Sequence, residues 1–580
     1  FLVLAILLTA CGILARVLSR SGGAGPDAAA ALAETPPAVG IRLRWLVLVF
    51  IPSSWLMGVT AYLTTDLAAI PLLWVIPLAL YLSSFIIAFA GAGTALVRIA
   101  SQALPVLVVP LVLVLTAGFV HAVWIPLHLL AFFAGSVACH GRLARLRPPA
   151  RHLATFYVTI ALGGLLGGVF NAVIAPVVFH RIVEYPLAVV LACMVAPGLE
   201  GRGERRAGRP WLSDLLLPVV VFLLAALLTT NQAGLADSVM GVLGVMIASG
   251  LGLYACATAR RRPARFAMVA GAVLVAGGLS QGPGGRLLHI ERNFFGVVRV
   301  TEDSERKVHR LFHGSTLHGQ QSLDPALSRE PSTYFTRSGP IGQVFAALGP
   351  RLDRAGAQVA IVGLGAGTLA TYARPGQRWT FYEIDPAVVR IARDPRFFTY
   401  LRDCAAASLE IVLGDARLRL RAAPDRAYRL IVLDAFSSDA VPVHLVSREA
   451  IRLYRGKLAA GGVLVFNLSN RYLDLEPVMG RQAQDAGLVC RIQLDTTLSP
   501  EERHAGKQPS IWAVMAASAD DLEGLASDPR WRLPVLRPNS RAWTDDYSDL
   551  ARYLRGMPRR LVQRESTAGP SAVTEGGLPR

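Results

Sequence analysis

The chain has 580 residues, 53% hydrophobic and 17% charged, which is too long for one compact domain and too apolar for an ordinary soluble protein. Its formal net charge is +18, with Lys307, Lys457 and Lys507 as the only lysines. Arginine used almost throughout marks a GC-rich coding sequence, and much of it sits in short loops between apolar runs, so the basicity reads as a positive-inside pattern and argues against a nucleic-acid partner. The six cysteines are scattered without a C-x-x-C pair; neither a metal site nor a disulfide framework is expected.

Residues 1–280 read as a polytopic transmembrane helical domain, with candidate spans near 1–19, 43–64, 68–91, 104–121, 123–139, 154–178, 183–198, 211–230, 237–258 and 264–280. Each is a largely uncharged run close to the roughly 20 residues that cross a bilayer. The chain opens at Phe1 inside an apolar run, which reads as a truncated start and as a membrane helix in preference to the tail of a signal sequence. Arginines fall in alternate loops: Arg42 and Arg44, Arg98, Arg142 to Arg151, Arg202 to Arg209, and Arg260 to Arg265. If all ten spans cross, the C-terminal part emerges opposite those loops. A cytosolic co-substrate requires instead that the last run does not cross or that the count is off by one.

Within this half, Gly163-Gly164-Leu165-Leu166-Gly167-Gly168 predicts a close helix–helix seam, because small residues four apart let backbones approach. Of His121, His128, His140 and His152, three sit at or near span ends, where interfacial histidines are common, so the set is not read as a metal or proton path.

Residues 286–340 read as a small β-rich lobe, from Phe294 to Val300, Val308 to Phe312 and a glycine-rich turn. Residues 341–555 alternate strand and helix signals. Strands are expected at Val359 to Gly363, Trp379 to Ile384, Leu409 to Leu413, Leu430 to Leu433, Val463 to Asn467 and Ile511 to Ala516. That order predicts an α/β Rossmann-like, doubly wound domain. The Gly-, Ser-, Thr- and Pro-rich tail over 563–580 is expected to be disordered.

The chemistry-bearing residues lie at the strand ends of this domain. Gly363, Gly365 and Gly367 form a G-x-G-x-G turn that lets backbone approach a ligand at the following helix N-terminus. The spacing differs from the dinucleotide G-x-G-x-x-G and favours an S-adenosylmethionine-type ligand. Glu383, about 20 residues on, is placed to accept from both ribose hydroxyls, and Asp385 before Pro386 reads as a helix cap. Asp415 is placed to accept from an adenine amino group, with the Ala416 backbone amide beside it. Asp434 and Asp439, at the fourth strand end and its loop, are two carboxylates able to bind a cationic amine and take its proton.

Together with Arg292-Asn293-Phe294-Phe295-Gly296, the run from His313 to Gln321, and Tyr334, these motifs resemble the polyamine aminopropyltransferases, the spermidine synthase family, and in particular a bacterial subgroup fused to a membrane domain. The resemblance covers roughly residues 290 to 550. It implies an S-adenosylmethionine-dependent methyltransferase-type fold, no metal, and transfer of an aminopropyl group from decarboxylated S-adenosylmethionine to putrescine, with release of methylthioadenosine. It also implies that Glu383 holds the ribose, Asp415 the adenine, that Asp434 is the base, and that Gln321 and Tyr334 line the substrate cleft. The expected setting is a multi-pass protein of the bacterial inner membrane, in contact with lipid, its soluble domain cytoplasmic and the assembly a homodimer.

Three positions depart from the family pattern. Ala366 stands where the glycine loop carries an aspartate for the aminopropyl ammonium. The Asp-x-x-Asp-Pro loop is two residues longer, giving Asp434 and Asp439 followed by Ala440, and Arg329 to Tyr334 replaces an acidic pair before the substrate tyrosine. A desolvated dication needs anionic partners, so these positions bear on the acceptor. Two other readings remain: a methyltransferase using S-adenosylmethionine itself, since Ala366 removes an aspartate that would repel the methionine carboxylate, and a transporter or sensor that binds a nucleoside or polyamine without turnover.

Overall fold

The computed structural model describes residues 36–64, 73–90, 94–118, 121–195, 211–230, 250, 252, 254, 262–279, 285–314, 316–404, 408–435, 442–470 and 473–555. The expected span at 1–19, nearly all of that at 237–258, and the tail at 563–580 lie outside the described residues. Two compact units result: Phe1–Arg329 with Gly365–Gly367 and Arg390–Thr399, and Glu330–Leu364 with Thr368–Val389 and Tyr400–Arg580.

Among the described residues of the first unit, four helices are long and apolar enough to cross a membrane: Val39–Tyr62, Ala95–Ala117, Ala122–Arg145 and Ala150–Val178. Shorter apolar helices occupy Val75–Phe89, Glu184–Val195, Leu215–Ala226 and Pro263–Gly278. Two differ from the boundaries the hydropathy suggests. Thr94–Ala117 starts ten residues before the expected 104, because Arg98, Ser101 and Gln102 depress hydropathy without opposing helical backbone. Ile125–Arg145 runs past 139 through His140 and Gly141 to its terminal arginines.

The longer helix overturns the interfacial reading of His140, which it carries inside the helix. His128 and His140 are both fully buried, His128 Nδ1 lying 2.6 Å from the Tyr185 hydroxyl and His140 Nδ1 2.8 Å from Ser84 Oγ. They are interior groups of the helix packing, each bonded through Nδ1 while its Nε2 is buried without a hydrogen-bond partner. The glycine seam is real but narrower than its sequence: a Cβ on Gly163 would stand 2.7 Å from the Leu46 carbonyl and one on Gly167 2.8 Å from Ser53 Cβ, whereas Gly168 has open space. One small-x-x-x-small pair therefore seats helix 153–169 on helix 39–62.

The β-rich segment is a four-stranded antiparallel meander in the order β1 (Arg286–Asn293), β2 (Gly296–Asp303), β3 (Val308–His313), β4 (Thr316–Ser322). Val298, Val300 and Leu311 bury its inner face, the period-2 pattern of a half-buried sheet.

The second unit holds a seven-stranded sheet, built from β5 (Gln358–Val362), β6 (Arg378–Glu383), β7 (Ser408–Leu413), β8 (Tyr428–Leu433), β9 (Leu458–Asn467), β10 (Val489–Asp495) and β11 (Ser510–Ala516). Its order is β10-β11-β9-β8-β5-β6-β7. β5 to β9 are parallel, while β11 runs antiparallel between β9 and β10. Val359, Ala360, Ile361, Leu430, Ile431, Val432, Val463, Leu464 and Val465 are entirely buried, the continuous apolar run that a parallel strand covered on both faces requires. The order reverses between β5 and β8, so the polar residues beyond their C-terminal ends meet at a topological switch point. β10 was not expected from sequence. It is an edge strand whose buried Cys490, Ile492 and Gln493 alternate too weakly to signal it.

Candidate active site

The site of the second unit forms where β5, β6, β8 and β9 end together. Val362 is in register with Tyr382 on one side and Leu433 on the other, so Gly363 and Asp434 leave the sheet side by side. The Gly363 N–H donates to the Tyr382 carbonyl (2.9 Å) and the Asp434 N–H to the Val362 carbonyl (2.8 Å). Gly363 has φ +97°, and a Cβ there would stand 2.3 Å from the Asp434 carbonyl oxygen. Only glycine allows this approach at this backbone angle.

Glu383 ends β6 and is 8% exposed. Its Oε2 accepts from the Leu364 N–H at 2.9 Å and its Oε1 from the Asp385 N–H at 2.8 Å. Burial raises its pKa, opposed by those two amides. The carboxylate is thus locked against the glycine turn, in one orientation. Asp385 accepts from the Ala387 N–H, the expected cap.

Asp415 follows Gly414 and caps helix Ala416–Ala422, its Oδ1 accepting from the Leu418 N–H at 2.8 Å. Its Oδ2 lies 3.3 Å from His444 Nε2. Ala416 is buried at the first turn of that helix.

Asp434 is the most perturbed carboxylate of the group. Burial pushes its pKa up to about 7, against the opposing hydrogen bond from Asn467, whose Nδ2 donates to Asp434 Oδ1 at 2.6 Å. Tyr334 feels the Asp434 charge: burial first and that carboxylate second hold its hydroxyl well above the usual tyrosine range. It therefore stays a neutral donor.

Tyr334 follows Thr333, a fully buried β-branched residue at φ +60°, a conformation that persists only where its surroundings impose it. Here the Gln508 N–H donates to the Thr333 carbonyl (3.2 Å), and Lys507 pairs with Asp495 (3.0 Å) and Glu502 (2.7 Å). The loop before β11 thus clamps the segment carrying Tyr334.

The remaining expected site residues lie elsewhere. Gly365 (φ +53°) and Gly367 (φ +83°) belong to the first unit, where a Cβ on Gly365 would stand 2.6 Å from the His318 carbonyl and one on Gly319 2.6 Å from Ala366 Cβ. Gln321, also in that unit, donates to the Ser328 carbonyl and Thr399 Oγ1 and accepts from the Thr399 N–H, each at 2.8 Å. Both of its polar atoms are engaged. Asp439 lies outside the described residues. The sequence reading missed Asn467 and His444; the polar end of Leu464-Val465-Phe466-Asn467 repeats the strand-end pattern of Glu383 and Asp434 and could have pointed to the first.

A parallel sheet with a glycine turn after its first strand and an acid after its second defines a Rossmann-like fold class. No protein-family model matches the chain. Over 115 residues it is 32% identical to a polyamine aminopropyltransferase of Vibrio vulnificus, a match covering 19% of this chain and 37% of the relative. The chain thus spans little more than a third of the length of that curated relative. Among solved structures, a probable spermidine synthase from Corynebacterium glutamicum is 18% identical, with 46% of this chain and 99% of that one covered and a TM-score of 0.33. A spermidine synthase from Thermotoga maritima is 13% identical, with 45% and 82% covered and a TM-score of 0.31. The resemblance of this chain to the polyamine aminopropyltransferase family is therefore carried by a sequence relative as well as by its motifs.

Proposed function

We propose that the chain is a membrane-anchored aminopropyltransferase, moving the three-carbon aminopropyl group of decarboxylated S-adenosylmethionine to an amine acceptor such as putrescine. The observation that carries this reading is Asp434 at the switch point of the sheet, a carboxylate pushed up to about 7, bonded by Asn467 and within electrostatic reach of the neutral Tyr334 hydroxyl. An amine arrives as an ammonium and must lose a proton before it can attack. A base that titrates near the working pH is suited to take it.

The amine lone pair then forms a bond to the carbon next to the sulfonium. The C–S bond breaks, its electrons neutralise the sulfur, and methylthioadenosine leaves. Asp434 takes the proton, Asn467 fixes its orientation, and Tyr334 donates toward the acceptor. Glu383, held by two amides, keeps its remaining lone pairs for the ribose hydroxyls, while Gly363 and Leu364 bring backbone to the nucleoside. Asp415 and the Ala416 amide serve the adenine edge. Gln321, with both polar atoms engaged, braces its loop. Asp439 takes a second ammonium of the acceptor. Rate acceleration comes from holding the two reactants in line and from deprotonation. The four long apolar helices supply the anchoring, with the sheet unit on the cytoplasmic side, where the co-substrate is made.

Purified full-length protein given decarboxylated S-adenosylmethionine and a panel of amines should release methylthioadenosine. Absence of that product with every amine, despite measurable co-substrate binding, would refute the proposal. A second reading, methyl transfer from S-adenosylmethionine, is favoured by Ala366: it is 1% exposed and puts no carboxylate where an aminopropyl ammonium would need one. Calorimetry with the two co-substrates decides, since a clear preference for the carboxylated form supports methyl transfer.

A further inference from the structure

The turn between β1 and β2 displays a large apolar side chain on a rigid support. Phe294 is 94% exposed. Beside it, Asn293 Oδ1 accepts from the Phe295 N–H (2.8 Å) and His313 Nε2 bonds the Phe295 carbonyl (2.8 Å). Gly296, at φ +133°, closes the turn so tightly that a Cβ would stand 2.6 Å from His313 Nε2. Such a turn holds Phe294 out instead of letting it fold back on the sheet.

Its location within the first unit indicates what covers it. Arg292, two residues earlier, makes a bidentate pair with Glu184 (2.6 and 3.0 Å) and donates to the Arg181 carbonyl (3.0 Å). Glu184 opens the apolar helix Glu184–Val195, and Arg181 donates to the Gly278 carbonyl at the end of helix Pro263–Leu279 (2.7 Å). β1 also packs beside helix Ala175–Val178, the last turn of the apolar run Ala150–Val178, which is only 22% buried. The exposed face of that run passes through Leu165 and Val173 to Val177 and Val178. Phe294 thus follows, by two residues, the arginine that ties β1 to Arg181 and Glu184 at the end of the helices. Polar residues with an apolar aromatic among them are the composition of a membrane–water interface.

We infer that the Phe294 turn inserts into the interfacial layer of the bilayer, a lipid-contacting element that fixes the β1–β4 sheet against the membrane surface. The inference rests on the membrane anchoring proposed above. The opposite turn of β2, at Glu305, lies one strand away, about 26 Å at 3.3 Å per residue, and serves as the distant reference.

Photoreactive benzoylphenylalanine placed singly at 294, 165 or 305 in the full chain, reconstituted in phosphatidylcholine–phosphatidylglycerol vesicles and irradiated, reads this directly by mass. Lipid adducts are expected at 294 and 165 and none at 305. An adduct at 165 with none at 294, a crosslink from 294 to a second copy of the chain, or equal labelling at 294 and 305 overturns the inference while leaving the anchoring intact. No lipid adduct at 165 overturns the anchoring itself.

Discussion

Replacing Asp434 by asparagine should make the sheet unit more stable and nearly abolish the proposed transfer activity. The folded carboxyl titrates at about 7 against an ordinary value of 3.8. Below pH 3.8 both the folded and unfolded states hold the proton, and this group contributes nothing. Between 3.8 and about 7 the folded state keeps a proton that the unfolded state has released, so wild-type stability falls as pH rises, and above 7 the whole loss is present. At 1.36 kcal/mol per unit the shift corresponds to about 4 kcal/mol; with water screening at the partly open strand end, about 2–4 kcal/mol is expected. The substituted amide retains an oxygen to accept from Asn467 and carries no charge to desolvate. Unfolding of Asp434→Asn, followed through the buried Trp379, Trp512 and Trp543, should therefore match wild type near pH 4 and exceed it at pH 8 by about 4–16 °C. Turnover should fall by about 10²–10⁴, the usual worth of a positioned base. A variant that melts lower than wild type at pH 8, or by the same difference at both pH values, would show that Asp434 is a paired structural carboxylate and would remove the reason for assigning it as the base.

Further outcomes follow from the same geometry. For the wild type, kcat/KM should drop about tenfold per pH unit below about 7 as Asp434 takes a proton, which a pH–rate profile measures. Gly363→Ala should destabilise the unit by at least about 2–3 kcal/mol in urea unfolding, because the added Cβ meets the Asp434 carbonyl at a strained φ. Glu383→Gln sets an amide donor against the Leu364 or Asp385 N–H and should weaken nucleoside binding by about 10- to 100-fold in calorimetry, the worth of charge-assisted hydrogen bonds. Arg292→Met alone should cost about 3–5 kcal/mol, since it strands the buried Glu184 carboxylate, whereas Arg292→Met with Glu184→Met should recover most of it; thermal melts of the four proteins in detergent test the coupling.

Local pattern made much of this protein legible. The strand-length apolar runs ending in Gly363, Glu383 and Asp434 mark parallel strands, because a strand buried on both faces must be apolar and its polar end must lie at the edge. Helix positions were visible for the same reason, but their ends were not: Arg98 hid the start of one helix and the polar segment after Cys139 hid the end of another. His140 looked interfacial because its partner, Ser84, lies more than fifty residues away. β10, an edge strand, carried too little periodicity to be seen.

Hydropathy and glycine spacing encode backbone path and burial within some ten residues, and from them the sequence alone determined an apolar helical half and a Rossmann-like α/β half. Which polar groups meet depends on chain crossings that bring distant positions within hydrogen-bond reach. Only the tertiary structure bonded Asn467 to Asp434, brought Tyr334 within reach of that charge, clamped Thr333 with the loop of Lys507, and joined Arg292 to Glu184. The pKa of Asp434 follows from that environment, because desolvation and a neighbouring amide belong to the folded surroundings and not to the residue itself.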